Sequence, residues 1–453
     1  MNTTKLFSSL NEICFKGFPD VRWNFLRDRI KGYLQHPIFK RTIIYTITDG
    51  ITKSISFIVL PIVSYFIVPS ELGIAANFDV LQNIIILLAG QAIVSSLPYF
   101  YYERTKEEVA ILVSNLLLLV LLVNIILAII IVFCTNIIEG YLHIGLSLQL
   151  LTVLSSLCML ANNVNFILYK MEDNPINFAK LQIGQVILYV SLLAILVIGY
   201  EQQAVGKILS YVVAISIMSF IHLYLLYKRG YLIFKVDINV QKTLCKFGIP
   251  LLPHSLSFWI KSGMDKIILT TYCGLSVNGL YSMALSFGAV YALFNTSFSN
   301  VYVPELQKRL SKMTPENEYE EKKFLVKLSY KLGSAFCVLC LIVIILCWIM
   351  VHYVLSEQYA SSFQYIPWII LSSTIYSFYG LVIQYPYTVK KTFGLGLVTF
   401  LGSAFQLLLT FLLVKTIGAD GIKYSLVIGS LTIMLGVWWY SNKVYPMPWF
   451  SRL

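Results

Sequence analysis

The sequence predicts an all-α polytopic membrane protein of about twelve transmembrane helices in two six-helix lobes. Three observations carry that expectation. Of 453 residues, 58% are hydrophobic and only 12% are charged, at a mean hydropathy of +0.75. Ions this scarce cannot cover the surface of a soluble domain of that length, which is typically about a quarter charged. The apolar residues also fall into runs long enough to span a bilayer, for which a helix needs about 20 residues. Finally, Lys and Arg recur on every second connection. Together these exclude a soluble enzyme, a secreted disulfide scaffold and a single-span receptor.

Residues 1–41 form a basic arm with Lys5, Lys16, Arg22, Arg27, Arg29, Lys31, Lys40 and Arg41. The arm has no apolar core between its charges, so no cleavable signal peptide is expected at its start. Trp23, Leu26, Ile30, Tyr33 and Leu34 recur at helical spacing opposite Arg22, Arg27, Arg29 and Lys31. That pattern suits a helix lying on the inner membrane surface, and a disordered basic tail fits it equally well.

Apolar runs follow at about 42–68, 77–102, 108–134, 145–169, 176–199, 204–227, 245–273, 278–303, 326–351, 364–388, 393–414 and 419–441. With the N-terminus in the cytoplasm, 28 of the 34 Lys and Arg fall on cytoplasmic segments. Only Lys207, Lys415 and Lys423 fall on the other side, and Lys53, Lys261 and Lys266 lie inside runs. The positive-inside rule then puts both termini on the cytoplasmic side of the membrane. It also accounts for the net charge of +12 without nucleic acid. The expected organisation is an arm (1–41), a first lobe (42–227), a cytoplasmic linker (228–244), a second lobe (245–441) and a cytoplasmic tail (442–453). External loops are short, and the hydrophilic stretch from Pro304 to about Leu325 reads as a solvated cytoplasmic helix.

The two lobes carry traces of a parallel repeat. Pro69-Ser-Glu-Leu-Gly73 follows the first run and Leu275-Ser-Val-Asn-Gly279 follows the seventh. Aligning Gly73 with Gly279 superposes Ser70 on Ser276 and carries Pro98, at the end of the second run, onto Pro304, read as the end of the eighth. Six runs per half, each half entering from the same side, relate the lobes by an axis along the membrane normal.

The stretch from Phe247 to Leu269, FGIPLLPHSLSFWIKSGMDKIIL, followed by Gly279-Leu-Tyr281, resembles the seventh span of bacterial polysaccharide flippases. These belong to the multidrug/oligosaccharidyl-lipid/polysaccharide exporter superfamily, and the similarity is greatest to O-antigen flippases. Pro69-Ser-Glu-Leu-Gly73 is also similar to the family pattern. The resemblance covers about residues 42–441 and is strongest over 245–310. It implies two lobes around a central cavity that opens alternately to either side. Its implied cargo is a pyrophosphate-linked oligosaccharide on a lipid, moved to the outer leaflet for surface polysaccharide or O-antigen assembly. Implied partners are that lipid-linked oligosaccharide, membrane lipids and other polysaccharide-assembly membrane proteins.

Charges at membrane depth are functional candidates because they cost several kcal/mol unless paired or wet. Asp49 and Lys53 stand four residues apart in the first run, as do Lys261 and Asp265 in the seventh, so each pair shares a helix face. His254 points to nearly the same side as Lys261. Lys53, Lys261 and His254 are the candidate cargo-binding residues, since ammonium groups offset the desolvation of a pyrophosphate and a histidine titrates near neutral pH. Asp49 and Asp265 are the candidate ion-coupling residues, exchanging a proton or a sodium ion with solvent. The plainer reading is that each pair only neutralises itself across a packed interface. Lys266, rotated off the Asp265 face, is left out of the expected site.

No cofactor and no metal site is expected. Cys337-Val-Leu-Cys340 has CxxC spacing but lies in an apolar run with no second pair, where thiols behave as small hydrophobes. Two other function classes compete with lipid flipping. A cation-coupled drug exporter would carry cavity acids without matching lysines. A membrane-embedded polymerase or glycosyltransferase would need a large hydrophilic loop or an acidic metal motif, and no P-loop is present for an ATP-driven pump. The expectation is therefore a transporter and not an enzyme.

Overall fold

The computed structural model describes residues 37–450, apart from positions 103, 234 and 390. The amphipathic stretch read at Trp23–Leu34 lies outside the described residues. Twelve long helices carry the fold: α1 (Pro37–Ile58), α2 (Pro69–Ile86), α3 (Lys106–Leu142), α4 (Leu146–Met171), α5 (Pro175–Leu193), α6 (Gln203–Lys228), α7 (Leu252–Cys273), α8 (Leu275–Ser311), α9 (Glu318–Tyr353), α10 (Ile366–Val382), α11 (Thr392–Ile417) and α12 (Asp420–Val444). Ten of these regions are long and apolar enough to cross a membrane. The other two are α1 and α7, the helices that carry Asp49 with Lys53 and Lys261 with Asp265 and Lys266.

Helix boundaries follow local chemistry. Pro69 and Pro175 occupy the first turns of α2 and α5, where a missing N–H costs nothing. Thr105 and Glu108 start α3 with a reciprocal capping box. Gly274 (φ 88°) and Gly418 (φ 68°) supply the left-handed backbone that lets α7 turn into α8 and α11 into α12 within a few residues. At Leu87–Gln91 the chain after α2 passes through a π-helical turn in which Gly90 takes φ 126°.

The hydrophilic stretch after Pro304 differs from expectation. Pro304 lies inside α8, which runs on to Ser311, and α9 begins at Glu318, so the stretch is two helix extensions and a turn. Past the apolar run, the carbonyl that Pro304 leaves unpaired can meet water, so the helix need not stop there. Charge pairs then carry it: Glu305–Arg309 at 3.2 Å, Arg309–Glu321 at 3.5 Å and Glu318–Lys322 at 2.6 Å.

The linker between the halves is fastened to the first one. Asn115 of α3 donates to Lys235 O (2.9 Å) and accepts from Asp237 N (2.9 Å), while Ser114 Oγ accepts from Ile233 N (2.8 Å). Asp237 then caps a short helix, Ile238–Gly248, before a 3₁₀ turn at Ile249–Leu251 leads into α7. Arg229 pairs with Glu172 and donates to Asn165 Oδ1 (2.6 Å), tying α4 to the end of α6 on the same basic face.

The halves meet where the repeat equivalents α2 and α8 pack together. At Gly73 an added Cβ would fall 2.2 Å from Leu275 O, and at Gly279 one would fall 1.8 Å from Pro69 O. Pro69 and Leu275 are themselves equivalents under the Gly73–Gly279 alignment, so each lobe presents a bare backbone to the matching backbone of the other. Below this crossing Asn278 Nδ2 donates to Asn77 Oδ1 (2.9 Å), which also accepts from Thr270 Oγ1 (3.1 Å). On the face away from the basic loops, Tyr359 Oη donates to Ile67 O (2.8 Å) and Gln358 Nε2 to Ser64 O (2.6 Å). That face is closed.

Candidate functional site

Directly behind this closure lies a cavity of about 380 Å³ between the lobes. α2 contributes Asp79, α5 Tyr189, α6 Lys207 and Tyr211, α7 Lys266, and α8 Ser282 and Ser286. Helix geometry explains their convergence. Asp79 is ten residues into α2, Lys207 four into α6 and Lys266 seven from the end of α7, and at about 1.5 Å per residue all lie in the half of the span next to the closed face.

Asp79 is exposed to the cavity, and Lys207 and Lys266 are half-buried in its wall. Asp79 is near enough to act electrostatically on Lys207, Tyr189 and Tyr211, and Lys266 on Lys207. Among the described residues, none of the three charges has an ion-pair partner within 4.0 Å. Tyr211 Oη accepts from Gln82 Nε2 (3.2 Å), which holds the phenol at the wall. The lining thus carries two ammonium groups against one carboxylate, with hydroxyls between them. Such a site suits an anion with several oxygens.

Asp265 has partners of its own. Its carboxylate accepts from Tyr281 Oη (2.5 Å) and from the N–H of Lys266 (2.8 Å), and Tyr281 is buried in the second lobe. Lys266, one residue on and about 100° round the helix, is the α7 residue that lines the cavity among the described residues. The side chains of Lys53, His254 and Lys261 lie outside the described residues. Their backbones sit on α1 and α7, and both helices bridge the lobes: α1 packs on α5 and α8, and α7 on α2, α3, α8 and α11. Asp49 lies on α1, half-buried. Among the described residues no group of three or more His, Cys, Asp or Glu could hold a metal ion.

Three cavity residues lie outside the set expected from sequence. Lys207 falls on the external side of the charge count, Lys266 reads as rotated off the Asp265 face, and Asp79 is not among the candidates. Asp79 carries a signal that could have found it, being an ionisable side chain inside an apolar run.

No family model and no curated protein matches the chain. Solved structures do. Lipid II flippase MurJ in an inward closed conformation superposes with a TM-score of 0.69 at 15% identity, over 88% of this chain and 87% of that one. An inward-facing multidrug resistance MATE family transporter of the MOP superfamily gives 0.62 at 14% identity, over 86% and 94%. A MOP superfamily transporter from Pyrococcus furiosus, described as having a binding pocket of reverse polarity, gives 0.50 at 14% identity, over 90% and 95%. The chain shares the fold of these structures. Within that fold, the cavity lies between the two lobes and draws on helices of both.

Proposed function

We propose that the chain is a flippase that carries a lipid-linked oligosaccharide through its pyrophosphate across the cytoplasmic membrane, for surface polysaccharide assembly of the O-antigen type. The observation that carries this reading is the interlobe cavity with Lys207 and Lys266 unpaired against a single Asp79. A pyrophosphate that leaves water must find replacement cations, because a charge at membrane depth is otherwise strongly unfavourable. Lys53, Lys261 and His254, on the two bridging helices, are proposed to extend this cationic path along the cargo's route. The likeness to a lipid II flippase supports the class of cargo.

In this reading the basic face is cytoplasmic, and the closed face, sealed by the α2–α8 crossing, is the exit. A C-terminal tag is accordingly expected to resist protease added to the periplasmic side of intact spheroplasts. Cleavage there would invert the orientation and the reading with it.

Asp49 and Asp265 are proposed to couple transport to a proton or sodium gradient. Lys261 and Asp265 neutralise one another without cargo, and cargo phosphate frees the carboxylate for a cation. Purified protein in liposomes should accelerate the exposure of a fluorescent polyprenyl-pyrophosphate oligosaccharide to an impermeant reagent. An imposed gradient should increase the rate, and Asp265→Asn should lose that increase while remaining folded. A rate no higher than in empty liposomes would sink the flippase reading; an undiminished gradient response in Asp265→Asn would leave Asp265 as a structural partner of Tyr281.

The likeness to MATE transporters favours one alternative, cation-coupled export of a small-molecule drug, which would place acids in the cavity without matching lysines. The excess of lysine over carboxylate in the cavity weighs against it.

A further inference from the structure

A second, smaller cavity opens in the first lobe, nearer the basic face. It measures about 180 Å³ and is lined by Gln91 and Ser95 beyond α2, Asn163, Phe166 and Lys170 of α4, and Phe178 and Gln182 of α5. Its lining chemistry is unlike that of the lysine cavity. Three neutral amides and a hydroxyl stand beside the aliphatic Val94, Leu160 and Ile167 and two phenyl rings packed edge to face at 5.3 Å. Lys170 is its one charged residue, with the ammonium 4.8 Å from the Phe178 ring.

One buried acceptor marks what this wall lacks. Gln182 Oε1 has no hydrogen-bond partner, and neither has Gln185 Oε1, one turn along α5 and outside the cavity lining. Buried acceptors left unpaired are costly, and a ligand that supplies O–H donors removes the cost. A phosphate brings only further acceptors, so the Gln182 oxygen disfavours it. A sugar ring offers donors and acceptors to amides and C–H faces to aromatic rings. Gln91 reaches the exposed rim through the π-helical turn at Leu87–Gln91, a distortion that often marks functional positions.

The cavity is also aligned with the lysines along α5. Gln182, Gln185 and Tyr189 stand at i, i+3 and i+7 on one face of α5, and Tyr189 lines the lysine cavity. The track is roughly 10 Å long along the helix. We propose that the pocket between α2, α4 and α5 is a carbohydrate subsite that reads a sugar near the pyrophosphate, through Asn163, Gln182 and the Phe166 and Phe178 rings. This rests on the flippase reading and adds what that reading lacks, a place where sugar identity is felt. The lysines hold what all such lipids share, and the amides distinguish among them.

The test compares two lipids bound to the full chain in nanodiscs: polyprenyl pyrophosphate carrying one hexose, and the same lipid without sugar. The parent should bind the sugar-bearing lipid about tenfold more tightly, the discrimination expected of one or two well-made hydrogen bonds. Gln182→Met and Asn163→Leu preserve side-chain size and should each erase the preference while leaving the sugar-free affinity unchanged. Lys266→Met should weaken both lipids alike. A preference retained in both amide variants, or an equal loss for both lipids, would overturn the subsite. A separate readout uses free hexose, detected by saturation-transfer NMR on the parent and on Gln182→Met. A signal in the parent that the variant loses supports the subsite even if neither lipid binds, in which case the flippase reading alone fails; no signal in the parent, together with equal lipid affinities, removes the subsite alone.

Discussion

Gly279→Leu is expected to abolish closure of the exit face and, with it, transport. The Cβ alone would stand 1.8 Å from Pro69 O, a backbone atom that cannot swing aside as a flexible side chain can. The helix itself gains from the change, since leucine exceeds glycine in helix propensity by up to about 1 kcal/mol. The protein should therefore fold and insert. What it loses is the closed arrangement of α2 on α8, because overpacking of this kind costs typically about 1–3 kcal/mol. At the upper end that displaces a two-state equilibrium on the order of 100-fold. The readout is a cysteine placed at Ala76, buried beside the crossing in the cavity wall, in a cysteine-free background. An impermeant maleimide applied from the exit side should label it slowly in the parent and at least tenfold faster with Gly279→Leu. Gly73→Leu should behave alike, its Cβ falling 2.2 Å from Leu275 O. Unchanged labelling in both would mean that the crossing is not the gate.

The second large effect is expected from the lysines. Hydrogen bonds to charged groups contribute about 1.5–3 kcal/mol each, so Lys207→Met with Lys266→Met should lower affinity for a polyprenyl pyrophosphate by at least 100-fold. Asp79→Asn should act in the opposite direction, since it removes the one carboxylate that repels the cargo within the cavity. A cationic drug would reverse the order: Asp79→Asn would then be the damaging change and the double lysine variant would bind more tightly. Binding isotherms for the two variants with both ligands thus separate the two readings, and insensitivity to both would place the cargo elsewhere.

The architecture was legible because it depends on coarse quantities. Hydropathy located the helices, α1 and α7 among them, although ionisable side chains interrupt their apolar runs. The glycine alignment was legible too: Gly73 and Gly279, paired on a handful of matching residues, prove to occupy equivalent sides of one crossing. The site was harder to read. Asp265 and Lys266 are neighbours in sequence, and which of them meets a cavity depends on how α7 is rotated against α8. That rotation is set by Tyr281 Oη binding the Asp265 carboxylate, a tertiary contact. Lys207 lies four residues into α6, within the uncertainty of any helix end read from sequence. Pro304 misled for a related reason, since a proline ends a helix only where its lost hydrogen bond cannot be compensated.

The glycine crossing has the geometry of an isologous dimer interface, in which residue i of one subunit meets j of the other and j meets i. Here the two subunits are halves of a single polypeptide. The polar node beneath the crossing departs from this symmetry, because it is not duplicated: the position equivalent to Asn77 is Met283, and that equivalent to Asn278 is Leu72. One asparagine from each half, at non-equivalent positions, bonds across the axis as a lone buried asparagine fixes the register of a coiled coil. Covalent fusion permits this, since only a chain whose halves mutate independently can place different side chains on the two sides of its own symmetry axis.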